Sequence, residues 1–294
     1  MHGTAIARRI IAAIGQELSL DRTDLVPAHD VRRARFILLP LIATVTVLGF
    51  GPSIVEGAIL LLGYDDADTT LHVTVYDMYT WSRLIPPLAQ DVVIGLLATA
   101  LMHLLRNRPA PDSHHPTPGI RTEARTFIMA FAVQMLGAPL MWTLSPWLPF
   151  AFHPSAATAI GQPAETLLFI AWAAAGLLEE PVVGLLIVGM RRCRISWSII
   201  TAVIVVLRIA CHIYNGWAVL CIALWPLLTV MLYRRTGALL PIILAHGAFN
   251  VSVLIDSYLP GSAWFSRIAT MMVAAGVAIA AVEVLRKAFT PVTA

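Results

Sequence analysis

Three observations predict an all-α, polytopic membrane protein with about eight transmembrane helices. The chain is 58% hydrophobic and only 13% charged, with a mean hydropathy of +0.78, whereas soluble domains carry roughly 25% charged residues. Apolar stretches of about 20 residues, the length that crosses a bilayer at 1.5 Å per residue, recur along its whole length. Lys and Arg fall in alternate connecting segments, as the positive-inside rule requires.

In chain order, residues 1–35 form an N-terminal segment without a signal peptide. The apolar run from Ile10 to Ile14 is too short for one, and Gln16, Glu17 and Asp21 follow it at once. Ile6, Ile10 and Ile14 recur at helical spacing, which fits a short interfacial helix as well as a solvated tail. The expected spans are approximately 36–63, 84–105, 126–151, 166–190, 196–214, 217–233, 238–258 and 267–285. Gly49, Gly51 and Pro52 give the overlong first span places to tilt, break or end early. Residues 36–105 thus hold two accessory helices. Residues 106–125, with Pro109, Pro111, Pro116 and Pro118, read as an extended linker, and 126–294 form a six-helix region. His114-His115 in that linker lack a surrounding metal-ligand framework and read as solvated loop.

With the N-terminus inside, 17 of the 20 Lys and Arg lie in inner segments, from Arg8 to Lys287. Both termini are therefore expected to be cytoplasmic, in an integral protein of the cell membrane, with the acidic loop Asp65, Asp66, Asp68 and Asp77 outside. This clustering accounts for the pI near 9, so a nucleic-acid partner is excluded and the bilayer itself is the first partner. Cys193, Cys211 and Cys221 are odd in number and offer no disulfide framework. Trp142, Trp147, Trp197, Trp217 and Trp264 fall near span ends, as interface anchors do. The sequence does not specify an oligomeric state.

Within these spans stand Glu56, Asp91, Gln134, Glu179, Glu180, Arg208, His212, His246, Asn250, Asp256 and Glu283. One ionisable group at bilayer depth costs roughly 2.5–3.5 kcal/mol on insertion scales, so the adjacent pair Glu179-Glu180 demands partners, water or a shared proton. The two side chains point about 100° apart, which lets one face a cavity while the other pairs sideways. Pro181 follows and bends the helix there. Arg208 and His212 share a face of span 5, and His246 and Asn250 share a face of span 7. Such a set can activate water: a carboxylate as base, imidazoles to orient the water or bind it with a metal, an amide to hold an oxyanion. Helix-packing hydrogen bonds are the plain alternative.

Glu179-Glu180, the run from Arg208 through His212 to Trp217, and Tyr233-Arg234-Arg235-Thr236-Gly237 through Pro241 to His246-Gly-Ala-Phe-Asn250 resemble the CPBP family. These are the CAAX-type prenyl-protein endopeptidases and bacteriocin-processing proteins, also called Abi proteins. The resemblance covers about 166–256 and places a catalytic core on spans 4, 5 and 7. It implies an intramembrane endopeptidase acting on a membrane-associated peptide or protein, with Glu179 as general base, His212 and His246 positioning water, and Asn250 holding the oxyanion. The family has been described both as metal-dependent and as glutamic. No cofactor is fixed by the sequence; two His and one Glu could ligate zinc, on Glu179, His212 and His246.

The family's first motif carries an arginine where this chain has Gly184. Arg208 is the only other intramembrane cation, so it is expected to neutralise Glu180 across spans 4 and 5 and leave Glu179 for chemistry. Counted from the inner ends, straight helices would set His246 about 12 Å deep and His212 about 24 Å deep, too far apart to meet. Tilt, a break at Asn215-Gly216 or a deeper start to span 5 would close the gap. Alternatives to hydrolysis are an inactive scaffold of the same fold, a transporter with a polar cavity, and a haem protein with His212 and His246 as axial ligands.

Overall fold

The computed structural model describes residues 6–13, 28, 30–62, 81–106, 119–144, 147, 165–258 and 264–289. The acidic loop, His114-His115 and most of the proline-rich linker lie outside these residues, as does the side chain of Glu56. Among the described residues every regular element is helical and there is no strand.

The helices are α1 (Val31–Leu62), α2 (Trp81–Arg106), α3 (Ile120–Leu144), α4 (Glu165–Arg192), α5 (Trp197–Cys211), a 3-10 segment (Ile213–Ala223), α6 (Leu224–Thr236), α7 (Leu240–Tyr258) and α8 (Trp264–Phe289). Among the described residues, five stretches are long and apolar enough to cross a membrane: Val31–Ile59, Leu88–Leu105, Ala173–Arg192, Asn215–Thr236 and Phe265–Arg286. Trp197–Cys211 and Leu240–Asp256 are apolar but shorter. The expected count of eight is therefore not reached by length and composition alone. α3 starts at Ile120, inside the expected linker, because the Gly119 carbonyl accepts from the Thr122 and Glu123 amides and Glu123 supplies a negative charge to the first turn.

The helix ends rich in arginine gather at one end of the bundle. Arg192 donates through Nε and Nη2 to the Leu105 carbonyl at 3.1 and 2.6 Å, closing the C-terminus of α2. Arg35 Nε donates to the Cys193 carbonyl at 3.0 Å. Trp197 has the guanidinium carbons of Arg191 and Arg234 at 5.1 and 5.3 Å from its ring centre, tying α4, α5 and α6 together. Glu283 of α8 pairs with Arg235 of α6 and lies 3.7 Å from Arg125 of α3.

Packing centres on α4, which is buried without interruption over residues 180–190. Small residues let its neighbours approach. A Cβ on Gly176 would overlap the Ile243 carbonyl oxygen and stand 2.8 Å from the Gly247 nitrogen; one on Gly184 would stand 2.8 Å from Leu239 Cδ2 and 2.9 Å from Met102 Sδ. α4 and α7 therefore run antiparallel at backbone contact, the small-residue seam typical of membrane helices. Pro181 leaves the Leu177 carbonyl without its intrahelical donor. Gly95 of α2 lies against that carbonyl, where a Cβ would be 3.1 Å away.

Candidate active site

Each polar side chain reaches the centre for a local reason. Glu179 and Glu180 lie between Gly176 and Gly184, so the α4–α7 seam sets Glu180 beside His246. α5 is capped at its start by Ser196, whose hydroxyl accepts from the Ile199 amide, and ends at Cys211 with His212 as its cap residue. Past it the chain tightens into the 3-10 segment, with Gly216 at φ 57°, ψ −144°, a conformation that suits glycine. The Asn215 amide and its side-chain Nδ2 both donate to the His212 carbonyl, at 2.9 and 3.1 Å. The break expected at Asn215-Gly216 is thus present.

Arg208 is the hub. Its Nη1 donates to Glu179 Oε2 and its Nη2 to Glu180 Oε1. The pairing with Glu180 is as expected, but Glu179 is not left free of Arg208: one guanidinium spans both carboxylates, because its fork is wide enough to serve two acceptors at once. His246 Nδ1 lies 2.9 Å from the same Glu180 oxygen. A carboxylate only accepts, so Nδ1 carries the hydrogen and Nε2 is the lone-pair nitrogen when the ring is neutral. His212 Nδ1 donates in the same way to the Arg208 carbonyl at 2.9 Å, fixing the same tautomer.

Exposure separates the two glutamates. The Glu180 side chain is 1% exposed and that of Glu179 is 33% exposed, although both pair with Arg208. Glu179 lies within electrostatic reach of Arg208, His246 and His212. Two carboxylates against one guanidinium leave one negative charge in excess at this centre. Asn250, half-buried, follows His246 by one turn of α7.

His212 and His246 do converge. Trp225 of α6 stands edge-on to both, its ring centre 6.2 Å from His212 and 4.8 Å from His246. The depth discrepancy arises at the start of α7. Gly237, at φ 67°, ends α6 with its amide on the Tyr233 carbonyl at 2.7 Å. Buried Ala238 and Leu239 then carry the chain inward. Leu239 meets Gly184, eight residues or about 12 Å from the end of α4 at Arg192. α7 thus begins well inside the bundle, and His246 reaches the level of His212 without strong tilt.

Two aromatic residues of this centre were missed by sequence reasoning. Trp225 and Phe50 lie 4.8 and 5.3 Å, ring centre to guanidinium carbon, from Arg208. No spacing signal marks either. At Gly184, where the motif that this stretch resembles has an arginine, Leu239 and Met102 fill the space, and the cation at this centre is Arg208 of α5.

Among the described residues no group of three His, Cys, Asp or Glu side chains is gathered as a metal ion requires. The guanidinium between the carboxylates holds the place of a cation and would repel a second one. The residues present do not fit the zinc site considered above.

Residues 162–252 match the family model of the type II CAAX prenyl endopeptidases, Rce1-like. No curated protein and no solved structure matches the chain.

Proposed function

We propose that this protein hydrolyses a peptide bond of a membrane-associated peptide or protein with water activated by Glu179, a reading supported by the match of residues 162–252 to the family model of the Rce1-like type II CAAX prenyl endopeptidases. One observation carries the reading: Glu179, Glu180, Arg208, His212 and His246 arrive from three apolar helices at one centre, with Glu179 alone of the two carboxylates turned outward.

Arg208 holds one oxygen of Glu179, and the other takes a proton from water. The resulting hydroxide adds to the scissile carbonyl, the water's second hydrogen being accepted by the Nε2 lone pair of one of the two imidazoles, His212 or His246. Asn250 donates to the tetrahedral oxyanion. Glu179, now a carboxylic acid, returns its proton to the departing amine. Glu180 and Arg208 keep their charges throughout and fix His246 and Glu179. No step runs through zinc. Eight membrane helices, a location in the cell membrane and cytoplasmic termini belong to the same proposal.

Arg208 on Glu179 also favours a second reading, a catalytically silent protein of the same fold that binds membrane peptides, because the guanidinium occupies an oxygen of the carboxylate that would act as base. Purified protein with a fluorogenic peptide library separates the two. Cleavage lost in Glu179→Ala and His246→Ala and unchanged by chelator supports the glutamic hydrolase. Cleavage indifferent to both substitutions overturns it, and loss to chelator with recovery on zinc overturns its metal-free form.

A further inference from the structure

Phe50 belongs to α1, outside the matched residues 162–252, yet it closes on the centre of the site. It is 3% exposed, and its ring centre lies 5.3 Å from the Arg208 guanidinium carbon. Trp225, 8% exposed, lies 4.8 Å from the same carbon and stands edge-on to His246 and His212. A guanidinium offers its faces to aromatic rings while its edge hydrogens remain in plane for acceptors. Both edge contacts here go to carboxylates, Nη1 to Glu179 and Nη2 to Glu180. Any rotation of the guanidinium out of this plane gives up one of them.

We propose that Phe50 and Trp225 are positioning residues that clamp Arg208 in the orientation spanning both glutamates, so that α1, although outside the family match, is a working part of the site. The proposal rests on the hydrolytic reading, because the orientation of Glu179 depends on Arg208. A leucine at either position would fill much of the volume but has no quadrupole to hold a cation. Trp225 adds a second constraint, since the same ring borders both imidazoles.

The full-length protein tests this in the fluorogenic assay with Phe50→Leu, Phe50→Tyr, Trp225→Leu and Trp225→Phe, each also melted. Both leucine variants are expected to lose about tenfold in kcat with KM nearly unchanged, in line with the cost of small misplacements, while the aromatic variants recover most of it at similar thermal midpoints. Leucine variants with wild-type kcat, or losses that the aromatic variants do not recover, overturn the clamp while leaving hydrolysis standing. A thermal double-mutant cycle of Phe50→Leu with Arg208→Met reads the contact without activity: strictly additive losses overturn the clamp, and a smaller loss from Phe50→Leu once Arg208 is gone supports it. No cleavage by the wild type, with Phe50 and Arg208 still coupled in that cycle, overturns the hydrolytic reading and reduces the clamp to a structural one.

Discussion

Arg208 faces Glu179 and Glu180 at once, and its removal would strand two carboxylates against each other in an apolar bundle. Breaking a buried pair by removing one partner costs about 3–5 kcal/mol, so Arg208→Ala should lower the thermal midpoint and the yield of folded protein severely. Adding Glu180→Gln should recover part of that loss by deleting one of the stranded charges. The exchange Glu180→Arg/Arg208→Glu should not recover it, because the new carboxylate would then face Glu179. A midpoint of Arg208→Ala equal to that of the wild type contradicts the ion cluster. These residues were legible in the sequence because charge at bilayer depth is rare and residues four apart share a helix face. The double engagement of Arg208 was not legible, since spacing along a helix gives no reach between helices. Phe50 and Trp225 were hidden for a simpler reason: an aromatic residue in an apolar span has the same appearance whether it packs on leucine or on a guanidinium.

The α4–α7 seam decides whether His246 meets Glu180. A Cβ on Gly176 would overlap the backbone of α7 at Ile243, and backbone yields less than a side-chain tip. Gly176→Ala should therefore separate the helices, costing at least the 1–3 kcal/mol of ordinary overpacking, and should abolish cleavage together with folding stability. Gly184→Arg, which would supply the arginine of the motif that this stretch resembles, is expected to destabilise as well, since Leu239 and Met102 fill that space; a Gly184→Arg protein with a higher midpoint than wild type contradicts this packing. The helices and the break at Asn215-Gly216 could be read from hydropathy and glycine placement. The inward start of α7 could not, because a length ruler assumes that each span begins at the interface. Ala238 and Leu239 look like any first residues of a span, and only the contact of Leu239 with Gly184 places this start about 12 Å inside.

At the scale of the molecule, the arginine-rich helix ends lie together, joined by Arg192 to Leu105, Arg35 to Cys193, the Trp197 stack and the Glu283 pairings. In the orientation we propose from the positive-inside rule, this end faces the cytoplasm. Tags at either terminus should accordingly be reached by protease only after the cytoplasmic side is opened; digestion of either tag from outside sealed cells contradicts that orientation. The segregation of basic segments was fully legible in the sequence, because it is a property of composition. How α1 joins the matched helices was not, since the contact of Phe50 with Arg208 links residues far apart in the chain. The central claim is that Glu179 makes water the nucleophile, and cleavage in water enriched in oxygen-18 tests it most directly. The account predicts one heavy oxygen in the new C-terminal carboxylate after a single turnover, and a rate reduced by about 10²–10⁴ in Glu179→Gln with unchanged folding. A Glu179→Gln protein that labels product at the wild-type rate would contradict it.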